Sequence, residues 1–229
     1  MGQSWERLAF LHWPVDPATL AERLPPGVEP DVFDGSAWIG ITPFEVHSFR
    51  LRMTLPLPLI STFPEINVRT YVTSGGKPGI WFLSLDTSNR LAVHAARLAY
   101  RLPYHHARQA SRRREDWIDF ASRRDGEDAA FAARYRPAGP VREASPGSFE
   151  HFMAERYCLY TVDDDLQLLR GDIHHRPWPL QPCEAEIGGN SMARPYGIEL
   201  TAEPRAHYAE RVDVVFWRLI PDIPGRPNS

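Results

Sequence analysis

The sequence predicts an α+β protein that is mainly antiparallel β, a large antiparallel sheet or closed barrel with a few helices. Three observations carry this. Apolar and β-branched runs with two-residue periodicity recur along the 229 residues, separated by turn dipeptides such as Asp34-Gly35 and Asp125-Gly126. Helix-start signals are few: Asp16-Pro17, Thr87-Ser88 and Ser148. No internal repeat, low-complexity tract or long linker divides the chain, so residues 1–229 read as a single domain.

In chain order, residues 5–13 read as a strand, and Asp16-Pro17 starts a short helix that stops before Pro25-Pro26-Gly27. Strands at 31–33 and 37–50 flank the Asp34-Gly35 turn. A proline-rich link at 55–64 delivers the chain to a strand at 63–71, whose hairpin partner is 79–86. A second helix runs to Arg101, capped by Thr87 or Ser88, with Leu91, His94, Ala95, Leu98 and Leu102 at helical spacing; Pro103 ends it. Strands near 104–111, 115–122 and 129–136 form a meander, and 137–146 is a loop. Ser148 or a neighbour opens a helix through Glu155, and strands follow at 157–162, 166–174, 183–187 and 206–219.

With 43% hydrophobic and 24% charged residues the composition is that of a globular protein. A net charge of -3 gives no general attraction to phosphate backbones, and the run Arg112-Arg113-Arg114 is answered at once by Glu115 and Asp116. Nucleic acid is therefore not an expected partner. No stretch approaches the roughly 20 apolar residues of a membrane span, and no leader pattern is present, so a cytoplasmic location without membrane contact is expected. Cys158 and Cys183 stand far apart without a partner motif and read as buried thiols. One lysine, Lys77, stands against 25 arginines, in the turn Gly75-Gly76-Lys77-Pro78-Gly79. A hairpin tip does not lower an amine pKa.

The most informative stretch is Phe63-Pro64-Glu65-Ile66-Asn67-Val68-Arg69-Thr70-Tyr71. Alternation puts Glu65, Asn67, Arg69 and Tyr71 on one face and Ile66, Val68 and Thr70 on the other. The polar row is either a solvated sheet face or a pocket wall. Tyr104, His105 and His106 begin a strand, where one histidine of the pair faces a cavity as acid or base and Tyr104 offers a hydroxyl to an oxyanion. His174 and His175 repeat the pairing before Arg176-Pro177-Trp178. Arg156 is either a surface ion-pair partner or an inward anion clamp. No His-x-His, helical His-x-x-x-His, glycine-rich phosphate loop or nucleophile elbow occurs, so neither a metal nor a cofactor is expected.

These motifs, with Phe10-Leu11-His12-Trp13-Pro14-Val15, Leu24-Pro25-Pro26-Gly27, Phe82-Leu83-Ser84-Leu85-Asp86 and Glu155-Arg156-Tyr157, resemble the YqjF-like family of uncharacterised bacterial proteins. That family is similar in turn to the acetoacetate decarboxylase-like superfamily, which implies a cone-shaped antiparallel barrel around a deep cavity with a few peripheral helices. Pro64-Glu65 resembles the element that places a carboxylate in the decarboxylase cavity. Where the decarboxylases carry a Schiff-base lysine and its partner after a proline, this chain has Tyr104 and His105 after Pro103. The resemblance therefore implies the fold but not imine chemistry.

The resulting expectation is a cavity that binds a small polar or anionic organic molecule. Glu65, Tyr104, His105 and His106 are the candidate catalytic groups, and Asn67, Arg69, Tyr71, Arg156, His174, His175 and Trp178 the candidate ligand contacts. Two alternatives stand beside it: an enzyme of lyase, isomerase or hydrolase type using Glu65 and one histidine as general acid and base, and a scaffold with a filled barrel. A homo-oligomer is left open.

Overall fold

The computed structural model describes residues 2–50 and 62–222, so most of the expected proline-rich link at 55–64 lies outside the described residues. The alternating sequence builds β1 (Gly2–Val15), β2 (Glu29–Pro30), β3 (Ala37–Arg50), β4 (Thr62–Ser74), β5 (Lys77–Thr87) and β6 (Tyr104–Arg114). It continues through β7 (Trp117–Arg124), β8 (Ala130–Pro137), β9 (Cys158–Val162), β10 (Leu168–His175), β11 (Gln181–Asn190) and β12 (Arg205–Pro221). The helices are α1 (Pro17–Ala21), α2 (Arg90–Tyr100) and α3 (Phe149–Ala154). Among the described residues no helix is long and apolar enough to cross a membrane.

Among the described residues all strands belong to one sheet. Its pairings are antiparallel except those of β5 with β6 and β9. The first of these is reached by a crossover through α2, as parallel pairing requires. Because β5 also pairs with β4, and β12 with β1, β10 and β11, the hydrogen bonds run in two closed circuits. Both circuits contain β12, β1, β3, β4 and β5; one is completed by β6, β7, β8 and β11, the other by β9 and β10.

This sharing explains the burial pattern. Along the middle of β1, β3, β4 and β5 both faces are buried, and each feeds a separate apolar core, whereas β12 keeps Asp213, Val215 and Trp217 exposed. Phe10, Phe44, Phe63, Tyr71, Leu85 and Trp178 belong to one core, while Leu11, Ile41, Ile66, Val68, Phe120 and Tyr135 belong to the other. On β7, by contrast, Ile118 and Phe120 are buried whereas Ala121 and Arg123 are exposed, the strict alternation of a sheet with one wet face.

Three expectations need correction. At 31–33 no strand forms: Phe33 makes an isolated bridge with Ser36 around Asp34 and Gly35, both at positive φ (54° and 73°). The strand expected from 115 begins instead at Trp117, because Glu115 occupies the hairpin turn at φ 55°. Helix α2 is capped by Asn89, whose side chain accepts from the Leu91 and Ala92 amides, and it buries Ala92 and Val93. Leu91 and Leu98 are 61% and 84% exposed. The face turned inward is the one with small side chains, because aromatic residues of the sheet already fill that side.

Candidate functional site

On β4, Glu65 and Asn67 are 4% and 2% exposed, and both line a cavity of ≈ 90 Å³ that opens to solvent past the exposed Ala95 and Ala99. Opposite them, α2 presents Ala92, Ala95, Ala96 and Ala99, and the sheet adds Trp5, Phe63, Phe82 and Leu85. The parallel register of β5 with β6 sets Tyr104 beside Leu85, which brings the phenol into the same wall. Its hydroxyl donates to Glu65 Oε2 at 3.1 Å.

Burial raises the Glu65 carboxyl to about 8; the Tyr104 hydrogen bond opposes the shift and the Asp86 charge adds to it. Burial, and then the Glu65 carboxylate, push Tyr104 well above the usual phenol value. Near neutrality the pair is thus a carboxylic acid beside an un-ionised phenol. Asn67 Oδ1 is buried in the same wall without a hydrogen-bond partner.

Arg69 and Tyr71 share the face but fill a different space. Gly40 on β3 is paired with both His12 of β1 and Arg69 of β4, so the two long side chains meet above it. A Cβ at Gly40 would stand 2.9 Å from His12 Nε2 and 3.4 Å from Arg69 Cγ, which is why glycine occupies the position. His12 Nε2 and the Tyr71 hydroxyl share a hydrogen bond of 2.7 Å. The Arg69 guanidinium lies 5.1 Å from the Phe10 ring centroid and 5.6 Å from that of Tyr71. No carboxylate among the described residues pairs with it, and its Nε has no partner. Burial, and then the Arg69 charge, hold the His12 ring well below its usual pKa.

Arg156 is buried as well, but Asp31 pairs with it at 2.5 Å, and its guanidinium covers the Phe152 and Tyr71 rings at 4.4 and 5.1 Å. His175 is buried with its ring nitrogens against the Arg156 and Arg176 carbonyls at 3.2 and 2.9 Å. Trp178 packs edge-on to Phe10 at 4.9 Å. His174 is exposed. His106 Nδ1 lies 2.8 Å from Asp125, and His105 Nδ1 lies 3.7 Å from Glu127. Burial, and then the Arg124 charge, lower the His105 pKa.

The structure therefore brings Glu65, Asn67 and Tyr104 together at one cavity and sets Arg69, Tyr71, Arg156, His175 and Trp178 in packed layers outside its lining. His105 and His106 lie at partly exposed carboxylates. Lys77 begins β5, 3.2 Å from Asp172. Three features escaped the sequence reading. The alanine face of α2 was visible as Ala92-x-x-Ala95-Ala96-x-x-Ala99 spacing. His12 was hidden in an apolar run. The buried pair of Asp86 with Arg124, at 2.8 Å from both Nε and Nη2, has no sequence signature.

A self-closing, mostly antiparallel sheet around such a cavity is the acetoacetate decarboxylase-like fold. The chain is similar to the enduracididine biosynthesis enzyme MppR, solved in complex with the condensation product of pyruvate and imidazole 4-carboxaldehyde. That match has a TM-score of 0.67 and 12% identity over 96% of this chain and 88% of that one. Acetoacetate decarboxylase from Legionella pneumophila matches with a TM-score of 0.62 and 14% identity, covering 96% of this chain and 87% of that one. At such identities the likeness is one of fold. The chain belongs to the DUF2071 family, described as an uncharacterized conserved protein, whose model matches residues 2–213. The uncharacterized protein YqjF of Bacillus subtilis (strain 168) is 44% identical over 221 residues, covering 96% of this chain and 91% of that protein.

Proposed function

We propose that this protein binds a small polar organic molecule in the cavity beside Glu65, and that it does so without forming an imine. The observation that carries the reading is the buried pair of Glu65 and Tyr104 on a cavity wall, with the unpartnered Asn67 Oδ1 next to it. An engineered cavity of about 150 Å³ takes up benzene, so ≈ 90 Å³ encloses roughly four non-hydrogen atoms of a ligand. MppR, which shares the fold, has been solved with pyruvate and with HEPES bound, and this supports small-molecule binding here.

A neutral polar ligand fits better than the anion expected from the sequence. No arginine, lysine or histidine is among the described residues that line the cavity, and Arg97 of α2 is turned to the Tyr104 carbonyl at 2.7 Å. Lys77 is held by Asp172 at the start of β5, which argues against an imine.

A second reading has a specific observation in its favour: Glu65, held near 8 by burial, is suited to give up a proton near neutrality. In that reading Glu65 is the general acid, Tyr104 its hydrogen-bonding partner and Asn67 a ligand contact; the histidines His105, His106 and His174 have no part.

Calorimetric titration with propanamide, butanone and pyruvate tests both. The wild type is expected to bind propanamide more tightly than pyruvate, and Glu65→Leu is expected to lose that binding. Borohydride treatment with pyruvate leaves the protein mass unchanged; an adduct on Lys77 would overturn the proposal.

A further inference from the structure

We infer that the ligand is amphipathic, a short-chain alcohol or primary amide whose head group meets Glu65 and Asn67 and whose apolar tail is limited in length by the alanine face of α2. The inference rests on the proposed use of this cavity and goes on to name the class of ligand.

The head group follows from the hydrogen bonds left open. Oε2 of Glu65 accepts from Tyr104, so a protonated carboxyl carries its hydrogen on Oε1 and seeks an acceptor. Asn67 Oδ1 is an acceptor with nothing bound, on a residue 2% exposed, and seeks a donor. One ligand group must then accept and donate at once, which a hydroxyl or a primary amide does. A carboxylate offers no donor and would meet no cation on this wall.

The tail follows from the rest of the lining. Away from Glu65, Asn67 and Tyr104 the cavity is walled by Trp5, Phe82, Leu85 and Phe216 and flanked by α2, and a further polar residue, Gln3, accepts from Trp5 Nε1 at 2.7 Å. Such a surface gives up free energy only to apolar atoms. On α2 the lining residues Ala92, Ala95, Ala96 and Ala99 fall at i, i+3, i+4 and i+7; Ala92 is buried and Ala96 half-buried, so methyl groups set the depth, while Ala95 and Ala99 are exposed at the rim. Larger side chains there would occupy the space the tail needs.

Titration of the full-length protein with the series from propanamide to octanamide, and with the matching primary alcohols and carboxylates, tests this. Affinity is expected to rise with chain length to a maximum and then to fall, with amides and alcohols above carboxylates throughout. Ala96→Leu moves the maximum to a shorter member and weakens the best wild-type ligand about tenfold, the usual scale for a clash or loss of one methylene. Ala96→Val, a smaller change at the same position, moves it in the same direction if Ala96→Leu fails to fold.

An affinity that does not depend on chain length, or an unmoved maximum in a folded variant, overturns the tail assignment while the binding proposal stands. Preference for carboxylates overturns the head-group assignment. Failure of every member to bind removes the binding proposal and this inference with it.

Discussion

Glu65 on β4 and Asp86 on β5 are both buried carboxyl groups of the strands shared by the two circuits, and their surroundings differ in one respect. Asp86 receives two guanidinium nitrogens of Arg124 at 2.8 Å each, with the two side chains 0% and 1% exposed. Arg124 follows Phe120 and Ser122 on the inward face of β7, on the side of the core that holds Phe120 and Phe131. Glu65 faces the other core, where it has a phenol for a partner and an open space beside it. A buried carboxylate with a bidentate cation is a structural joint; one without a cation keeps its proton and has chemistry to offer. The contrast separates two groups that composition alone would treat alike.

The largest effect is expected from breaking the joint. Arg124→Ala strands Asp86 in the interior and should lower unfolding free energy by about 3–5 kcal/mol in denaturant titrations. A loss below about 1 kcal/mol would mean that Asp86 finds another partner, and the contrast would fail.

Glu65→Gln is expected to act in the opposite direction. Below pH 4.5, the ordinary glutamate value, folded and unfolded chains both carry the proton. Between 4.5 and about 8 the unfolded chain releases it and the folded chain does not, so wild-type stability falls as pH rises through that window. The glutamine variant lacks this slope. It should be more stable by roughly 3 kcal/mol at neutral pH, with the gain vanishing toward pH 4. Identical pH profiles of the two proteins would show an ionised Glu65 in the native state.

Tyr104→Phe should have the smallest effect. It removes a hydrogen bond that favours the ionised carboxyl, so the Glu65 titration followed by infrared or NMR moves above about 8. Stability changes by about 1 kcal/mol. A downward shift would assign the raised value to Tyr104 itself rather than to burial.

Most strands were legible because two-residue alternation and turn dipeptides are local signals, as was the Asp16-Pro17 helix start. At the site, alternation correctly joined Glu65 with Asn67, and the proline before Tyr104 marked the start of β6. What alternation cannot supply is the identity of the neighbouring strand. Tyr104 enters the wall because β6 runs parallel to β5 with Leu85 opposite it, while His105, one step on, points to Glu127. Arg69 lies on the predicted face, yet Phe10 and Tyr71 occupy the space in front of it. On α2 the expected stripe of Leu91, His94, Ala95, Leu98 and Leu102 leaves Leu91 and Leu98 exposed, and Ala92 and Val93 are buried instead, because a wall already rich in aromatic rings admits smaller side chains.

The pairing of β1 with β12, from Gly2 opposite Val215 to His12 opposite Arg205, has a consequence for synthesis. On the ribosome the first strand emerges long before the last, and until residues 205–221 appear β1 has β3 on one edge and nothing on the other. The strands β10 and β11 also wait for β12. Neither circuit can close during elongation, so the nascent chain spends translation with unpaired strand edges that other chains can join. A premature stop anywhere before β12 would leave a sticky fragment rather than a smaller working protein.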